Sequence, residues 1–179
     1  CNLKVQLVEG RVGVVQVVGA HRTHDKYILD RVHFATQGVV DVPKAARDIT
    51  WFNKTNQAQL RLLLQPGASF GLTNLSLGIT EPAANTLQFF VDNEGVPSTG
   101  EIEYGAYYHG YDMLGADDNL TLYATATGGS VAGTVSYDIP ITTSGTRIAG
   151  SYTRSGIAVI DGPTEPLDIT GTSQAASVT

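Results

Sequence analysis

The sequence predicts an all-β fold, a β-sandwich or barrel, from three observations. Short segments in which apolar and polar residues alternate recur along the 179-residue chain, which is the period of a half-buried strand. Turn signals that contain glycine separate these segments. Only 16% of the residues are charged, against about 25% in an average globular chain, and Gly, Thr, Val and Ser fill the difference.

Residues 119–139 show the pattern best. Apolar residues occupy alternate positions of 119–126, and a Gly-Gly turn at 128–129 leads into a second run over Val131–Ile139. The predicted strands, in chain order, are Leu3–Glu9, Val12–Val18, Lys26–Phe34, Asp48–Phe52, Ala58–Leu64, Ser69–Ile79, Thr86–Asp92, Glu101–Tyr108, Asn119–Ala126, Val131–Ile139, Arg147–Tyr152 and Ile157–Ile160.

Helix is predicted only in single turns, at Pro43–Asp48, where proline suits a first helical turn, and at Glu81–Thr86. Neither is long enough for the crossovers of a parallel sheet, so a sandwich or barrel is favoured over a parallel α/β fold. We expect one β-sandwich domain over residues 1–160. Residues 161–179 are rich in Thr, Ser, Pro and Gly, and we expect an extended or flexible arm there.

The charge balance and the cysteine count narrow the function. Eleven basic against seventeen acidic residues give a net charge of −6, so we expect no direct nucleic-acid binding. Cys1 is the only cysteine, which excludes an internal disulfide. It is either an ordinary chain start or the lipid-modified first residue of a lipoprotein. No apolar run reaches the ~18 residues of a transmembrane helix.

No motif predicts an enzyme or a cofactor. Gly67–Gly71 matches the pattern of a nucleophile elbow around Ser69, but that motif needs a following helix, and Leu72–Ile79 has a strand pattern. We therefore predict a hairpin loop there. We expect no catalytic residues, no cofactor and no enzymatic activity.

Two polar clusters have the residue types of metal sites, although we expect no metal at either. The first cluster is His21, His24, Asp25 and His33, and its favoured interpretation is a polar loop between two strands. The second is Asp112, Asp117, Asp118 and Asn119. Its favoured interpretation is a turn that precedes a strand, and a calcium site is the alternative.

An aromatic stretch and three glycosylation sequons are the candidate surface features. Alternate tyrosines of the stretch either pack in the core, form a subunit interface or stack on sugars. The tyrosines are Tyr104, Tyr107, Tyr108 and Tyr111. The sequons begin at Asn53, Asn74 and Asn119, which are possible glycosylation sites if the host modifies the protein.

The segment 119–139, with the sequence NLTLYATATGGSVAGTVSYDI, is similar to a late hairpin of a jelly-roll virion protein. With the architecture and composition of residues 3–160, it gives the chain a resemblance to the small major capsid proteins of icosahedral viruses with an internal membrane. Those viruses infect halophilic archaea or Thermus. The resemblance carries over no functional residues.

This resemblance implies a single jelly-roll-like antiparallel β-sandwich. It also implies a non-enzymatic capsid subunit, located in the virion, that assembles into the icosahedral shell through its sandwich sides and terminal arms. Its implied partners are copies of itself and a second capsid protein, with an internal membrane beneath the shell. Two alternatives stay open. One is a carbohydrate-binding module that uses Trp51 with Tyr107 or Tyr108, and the other is a surface lipoprotein anchored through Cys1.

Overall fold

The computed structural model describes residues 9–19, 21–35 and 38–179. The protein is mostly β-structure in two sheets, which confirms the predicted class at its coarsest level. The chain divides into two compact units, where the sequence had suggested one domain over 1–160 and an arm over 161–179. Unit 1 comprises residues 1–82 and 143–145, and unit 2 comprises 83–142 and 146–179. Cys1 and most of the predicted strand Leu3–Glu9 lie outside the described residues.

Unit 1 packs helices on one side of a small mixed sheet. Its strand order is β1-β3-β2, with β1 parallel and β2 antiparallel to the central β3. Buried residues of the two helices and of the sheet form one core, which includes Ile28, Phe52, Leu60 and Leu77. The elements are β1 (Arg11–Val18), α1 (Asp25–Leu29), a short 3-10 helix (His33–Ala35), α2 (Val42–Thr55), β2 (Gln59–Pro66) and β3 (Leu72–Thr80).

The predicted strands Lys26–Phe34 and Asp48–Phe52 are wrong. The first is replaced by α1, a turn and the start of the 3-10 helix, and the second lies within α2. Asp41 caps the N-terminus of helix α2, and its carboxylate accepts a hydrogen bond from the Lys44 backbone N–H at 2.9 Å. The predicted single turn at Pro43–Asp48 is the start of this longer helix.

Burial explains why α2 continues to Thr55. Ala45, Ile49 and Phe52 are spaced four and three residues apart, so they share one helix face, and all three pack in the core. The β-branched and aromatic residues over 49–52 favour a strand locally, but the helical spacing of the core contacts determines the outcome.

Unit 2 is one six-stranded antiparallel sheet in which every strand pairs with its neighbour in sequence. The near end of the sheet is the end where β4 begins; the far end carries the connections 93–102, 127–129 and 159–169. The strands are β4 (Asn85–Asp92), β5 (Glu103–Tyr111), β6 (Asn119–Ala126), β7 (Ser130–Pro140), β8 (Arg147–Ala158) and β9 (Thr170–Val178).

The strand predictions for β4 to β7 agree with the structure to within a few residues. The predicted strands Arg147–Tyr152 and Ile157–Ile160 are not separate. Strand β8 is continuous between them, and Ser155 and Gly156 pair with β7 and with β9. Strand β9 forms within residues 161–179, in the segment expected as an arm. The structure does not show a jelly roll, because that fold needs connections that skip neighbouring strands and this sheet has none.

Candidate functional site

One face of the unit 2 sheet is almost wholly apolar. Successive residues of a strand point to opposite faces, and the register aligns residues of one face across all six strands. We call this the apolar face. Its main members, strand by strand, are Leu87, Phe89 and Val91; Tyr104, Ala106 and Tyr108; Leu120, Leu122, Ala124 and Ala126; Val131, Gly133, Val135 and Ile139; Ile148, Tyr152, Arg154 and Gly156; and Thr172, Gln174, Ala176 and Val178.

The opposite face, the polar face, is dominated by hydroxyl side chains. Neighbouring strands link some of these by hydrogen bonds: Thr134 Oγ1 lies 3.0 Å from Thr153 Oγ1, and Ser151 Oγ lies 2.8 Å from Ser177 Oγ. Its main members are Thr86, Gln88 and Phe90; Gly105, Tyr107 and His109; Thr121, Tyr123 and Thr125; Thr134 and Ser136; Ser151 and Thr153; and Ser173 and Ser177.

The apolar face is the more unusual of the two because its large side chains are exposed. Phe89 is 76% exposed and Val178 78%, and Leu87, Val91, Tyr104 and Val131 are each more than half exposed. A sheet in water normally buries its apolar face against another layer. A continuous exposed apolar surface of this kind indicates contact with an apolar environment or a partner.

An aromatic joint on the polar face connects the first three strands of the sheet. Phe90 is the cross-strand partner of Gly105, and its ring lies over that glycine. The same ring stacks on Tyr123 of β6, with ring centroids 6.1 Å apart and ring planes at 20°. Glycine at position 105 is therefore required by close packing, since any side chain there would occupy the place of the Phe90 ring.

A buried cluster of charged and phenolic groups closes the near end; we call it the Arg147 cluster. Arg147 Nη1 donates to Asp117 Oδ2 at 2.9 Å, Nη2 donates to the Asp117 carbonyl at 2.7 Å, and Nε donates to Asp138 Oδ2 at 2.7 Å. Tyr111 Oη donates to Asp117 Oδ1 at 2.9 Å, and Tyr137 Oη donates to Asp118 Oδ2 at 2.8 Å. Asp117 and Asp118 are both fully buried, so the ion pair with Arg147 compensates the charge of Asp117, and hydrogen bonds stabilise the carboxylate of Asp118.

The Arg147 cluster fixes the turn 112–118 between β5 and β6. Asp118 carboxylate oxygens accept hydrogen bonds from the backbone N–H groups of Met113 and Leu114, and Asp112 Oδ1 accepts one from that of Asp117. Asp112 and Asp117 have positive φ angles of 55° and 57°, which aspartate tolerates better than most residues. The turn is thus held from within and clamped by Arg147 from β8.

These contacts explain the acidic residues that the sequence analysis grouped at 112–119. They serve the turn and the arginine, and Asn119 begins β6 beside them. Among the described residues no group of three or more His, Cys, Asp or Glu side chains is arranged to hold a metal ion.

The histidine cluster of unit 1 is divided between a loop and two helices. His21 Nε2 lies 2.7 Å from Asp25 Oδ1, and its Nδ1 lies 2.8 Å from the Gly19 carbonyl oxygen. The hydrogen bond with Asp25 raises the pKa of His21 above 6.5, although partial burial opposes this. His24 precedes α1, and His33 begins the 3-10 helix.

Glu81, which the sequence analysis did not single out, closes the same loop. Its carboxylate accepts hydrogen bonds from the backbone N–H groups of Arg22 and Thr23 and from Thr23 Oγ1, the last at 2.7 Å. Burial alone would raise the pKa of Glu81, but these hydrogen bonds outweigh it and lower that pKa below 4.5. The side chain ties the end of β3 to the loop after β1.

Ser69 lies in the connection between β2 and β3. No helix follows it, because β3 begins at Leu72, whose N–H donates to the Ser69 carbonyl at 3.1 Å. The structure therefore lacks the strand–turn–helix arrangement that a nucleophile elbow requires.

The four tyrosines singled out in the sequence are divided between the two faces of β5. Tyr104 and Tyr108 lie on the apolar face, and Tyr108 Oη donates to Asn85 Oδ1 at 2.6 Å. Tyr107 lies on the polar face, and Tyr111 is buried in the Arg147 cluster. A role for these residues in a subunit interface or in sugar stacking stays a prediction.

The three sequon asparagines all make hydrogen bonds within the chain. Asn53 of α2 accepts from the Leu60 N–H at 2.7 Å and donates to its carbonyl at 3.1 Å. Asn74 accepts from the Val14 N–H at 3.0 Å, and Asn119 is buried. Glycosylation at these positions stays a prediction.

No local pattern in the sequence indicates the aromatic joint, Arg147 or Arg154. A local signal exists only for the two faces, along β6, where Leu120, Leu122 and Ala124 alternate with hydroxyl-bearing neighbours. In the part of the chain that the structure describes, no helix is long and apolar enough to cross a membrane.

Comparison with known proteins gives a fold and no family. No protein-family model matches the chain, and no curated protein matches it. The fold is similar to BamA from Haemophilus ducreyi lacking POTRA domains 1–3, at 12% identity and a TM-score of 0.63, over 94% of this chain and 31% of that one. CdiB from Escherichia coli matches at 17% identity and a TM-score of 0.56, over 96% of this chain and 31% of that one. CdiB from Acinetobacter baumannii matches at 13% identity and a TM-score of 0.60, over 95% of this chain and 33% of that one. The chain thus spans about a third of the length of these structures.

The capsid prediction is wrong, since the similar structures are BamA and CdiB. The virion location fails with it, as do the expected partners, namely copies of the chain, a second capsid protein and a membrane beneath the shell. The carbohydrate-binding and lipoprotein alternatives are not supported either. The physical reason is that the alternating pattern produces an exposed apolar face, where a sandwich would cover that face with a second sheet.

Proposed function

We propose that unit 2 is part of a closed antiparallel sheet that spans a bacterial outer membrane. The observation that carries this proposal is the contrast between the exposed apolar face and the hydroxyl-rich polar face of one sheet. The apolar face would contact lipid, and the polar face would line a water-filled interior. The strands are eight to twelve residues long, close to the roughly 9–11 that a tilted strand needs to cross a bilayer.

The edges of the sheet favour closure by strands outside this chain. Among the described residues, β4 and β9 each pair on one side only. An unpaired edge in the hydrocarbon layer leaves backbone N–H and C=O groups without partners, which is too costly to persist. The chain spans about a third of the length of the matched structures. We therefore propose that the remaining strands of the closed sheet belong to the rest of a longer protein.

The proposed role is transport of proteins at the outer membrane, without enzymatic activity. BamA and CdiB are outer-membrane protein transporters of the Omp85 family, and their likeness to this chain supports the proposal. The matched BamA lacks POTRA domains 1–3, and the match includes both units of this chain. Unit 1 is therefore proposed as the counterpart of a POTRA domain beyond those three. Its proposed partners are the transported proteins.

Cysteine labelling in cells tests the spanning of the membrane. Met113 is exposed in the turn 112–118 at the near end, and Gly162 lies in the connection 159–169 at the far end. We would make Met113→Cys and Gly162→Cys separately in the full-length protein, in a background without other cysteines that includes Cys1→Ser. A membrane-impermeant maleimide would be applied to intact cells and to cells with a permeabilised outer membrane.

The proposal predicts that Gly162→Cys is labelled in intact cells, whereas Met113→Cys is labelled only after permeabilisation. Equal labelling of the two positions in intact cells would show that both ends of the sheet are on one side, and the proposal would fail. Gly162 is a suitable site because no other atom lies within 4 Å of the place a side chain would take, although its φ of +96° adds some local strain.

A further inference from the structure

Arg154 is the one charged side chain on the apolar face within β4–β9. It lies in β8, in register with Gly133 of β7 and Gln174 of β9. It is exposed, and it makes no hydrogen bond or ion pair with any residue that the structure describes. If the apolar face contacts lipid, this guanidinium lies where an unpaired charge is unfavourable, and such residues are commonly functional.

The surface beside Arg154 is concave, because its neighbours have small side chains. A hollow of about 460 Å³ is lined by Ala124, Val131, Gly133, Arg154, Gly156 and Thr172. A second hollow of about 220 Å³ shares Ala124 and continues to Ala106, between Leu87, Tyr108 and Leu122. Together they form a largely apolar groove, with the charged side chain of Arg154 at one end and Ala106 at the other.

We propose that this groove binds a membrane lipid with an anionic phosphate headgroup. The guanidinium of Arg154 would pair with the phosphate, for which its planar donors are suited. Thr172 and Gln174 lie beside it, and Tyr152 Oη donates to Gln174 Oε1 at 3.3 Å, which leaves the Gln174 amide N–H groups as donors. An acyl chain would occupy the apolar part of the groove. This inference rests on the proposed function.

A lipid fits the surface better than a free anion does. A free phosphate would use Arg154 but would leave the Ala106 end of the groove empty. One phospholipid molecule pairs its phosphate with the charge of Arg154 and fills the apolar hollow with an acyl chain. The sheet face around the groove is itself apolar. The experiment must therefore separate the headgroup, the acyl chain and the phosphate.

Lipid binding would be measured on the full-length protein in detergent by native mass spectrometry. The probes are phosphatidylglycerol, phosphatidylcholine as a lipid without net charge, and inorganic phosphate as a competitor. The variants are Arg154→Gln, Arg154→Lys and Gly133→Val, with Arg61→Gln in unit 1 as the matched control for loss of a positive charge. Gly133 has room for a side chain, since an added Cβ would meet only the Tyr123 carbonyl oxygen at 3.9 Å.

We expect Arg154→Gln to weaken phosphatidylglycerol binding about tenfold, the equivalent of one charge-assisted hydrogen bond. Arg154→Lys should retain part of the affinity, and Gly133→Val should lose affinity with the charge in place, because it fills the groove. Arg61→Gln should bind as the wild type does, and phosphatidylcholine should bind weakly to every variant.

Two results would overturn the inference. Unchanged phosphatidylglycerol binding in Arg154→Gln would remove the headgroup site, and displacement of the lipid by inorganic phosphate at similar concentration would indicate a site for phosphate alone. The cysteine labelling separates this inference from the proposed function. Correct labelling with no effect of Arg154→Gln rejects only the lipid site, whereas failed labelling rejects the spanning sheet itself.

Discussion

Phe90 and Gly105 are paired across β4 and β5 so closely that a Cβ atom built on Gly105 would lie 1.9 Å from Cζ of Phe90. The ring covers the glycine and reaches Tyr123 on the next strand. An aromatic ring over a cross-strand glycine shields the exposed backbone and fixes the register of the two strands. This contact therefore specifies the pairing of the first three strands of the sheet.

Gly105→Ala should destabilise unit 2 by roughly 1–3 kcal/mol, because the methyl group displaces the Phe90 ring. Gly150→Ala in β8 is the matched control, since an added Cβ there meets nothing within 4 Å. The measurement is the denaturant midpoint of the full-length protein. The double variant Gly105→Ala with Phe90→Ala should lose less than the sum of the two single changes. Equal effects of Gly105→Ala and Gly150→Ala would contradict the packing argument.

Arg147→Gln should cost roughly 3 kcal/mol, because it leaves the buried Asp117 carboxylate without its cationic partner. Arg147→Lys should retain only part of the stability that Arg147→Gln loses, since one ammonium group cannot reproduce three directed hydrogen bonds. Hydrogen exchange at the Met113 and Leu114 amides should quicken as the turn 112–118 loosens. Arg154→Gln, which removes an arginine that has no partner among the described residues, is the control and should leave both observables unchanged. Unaltered exchange in Arg147→Gln would show that the turn does not depend on the cluster.

Glu81→Gln should make the stability of unit 1 less sensitive to acid. Because hydrogen bonds hold the pKa of Glu81 below 4.5, the carboxylate stabilises the fold above that pH, and the contribution is lost as the pH falls through the folded-state pKa. At pH 7 the variant should be less stable by about 1–2 kcal/mol. The free energy of unfolding would be followed from pH 7 to pH 3. A constant difference between wild type and variant over this range would contradict the assignment.

The contribution of His21 to the stability of unit 1 should depend on pH in the opposite direction to that of Glu81, and His21→Gln tests this. The pKa of His21 is raised by its bond with Asp25, so the pair stabilises unit 1 below pH 6.5 and the contribution is lost as the pH rises through the folded-state pKa. The effect should stay below about 1 kcal/mol, because Asp25 is largely exposed. His24→Gln is the control, since that side chain makes no capping bond to α1. A loss that grows with pH would contradict the prediction.

The strands of unit 2 could be predicted from sequence because their pattern is local. Strand β6 occupies the predicted residues Asn119–Ala126, where alternation and β-branched residues agree. Helix α2 could not be predicted in full, because Ile49 and Phe52 favour a strand locally and their helical spacing becomes decisive only in the core. The clamp between Arg147 and Asp117 joins residues 30 positions apart, and no local pattern indicates it.

The function could not be predicted because the same alternation of apolar and polar residues occurs in two different environments. Leu120, Leu122 and Ala124 alternate with hydroxyl-bearing neighbours whether their face packs on a second sheet or contacts lipid. Only the structure shows that the large side chains of this face are exposed, Leu122 by 40% and Phe89 by 76%. A β-sandwich is therefore consistent with the pattern, although that fold would bury the side chains that are exposed here.

Spin labels along β6 test the central claim most directly. Single cysteines would replace Leu122 and Ala124 on the apolar face and Thr121 and Thr125 on the polar face, in the full-length protein with Cys1→Ser and no other cysteine. The protein would be reconstituted in bilayers, and collision rates would be measured with oxygen, which concentrates in lipid, and with a water-soluble nickel chelate. The account predicts high oxygen and low nickel collision at Leu122 and Ala124, and the reverse at Thr121 and Thr125. High nickel collision at Leu122 and Ala124 would show an apolar face in contact with water, and the membrane-spanning sheet would be rejected.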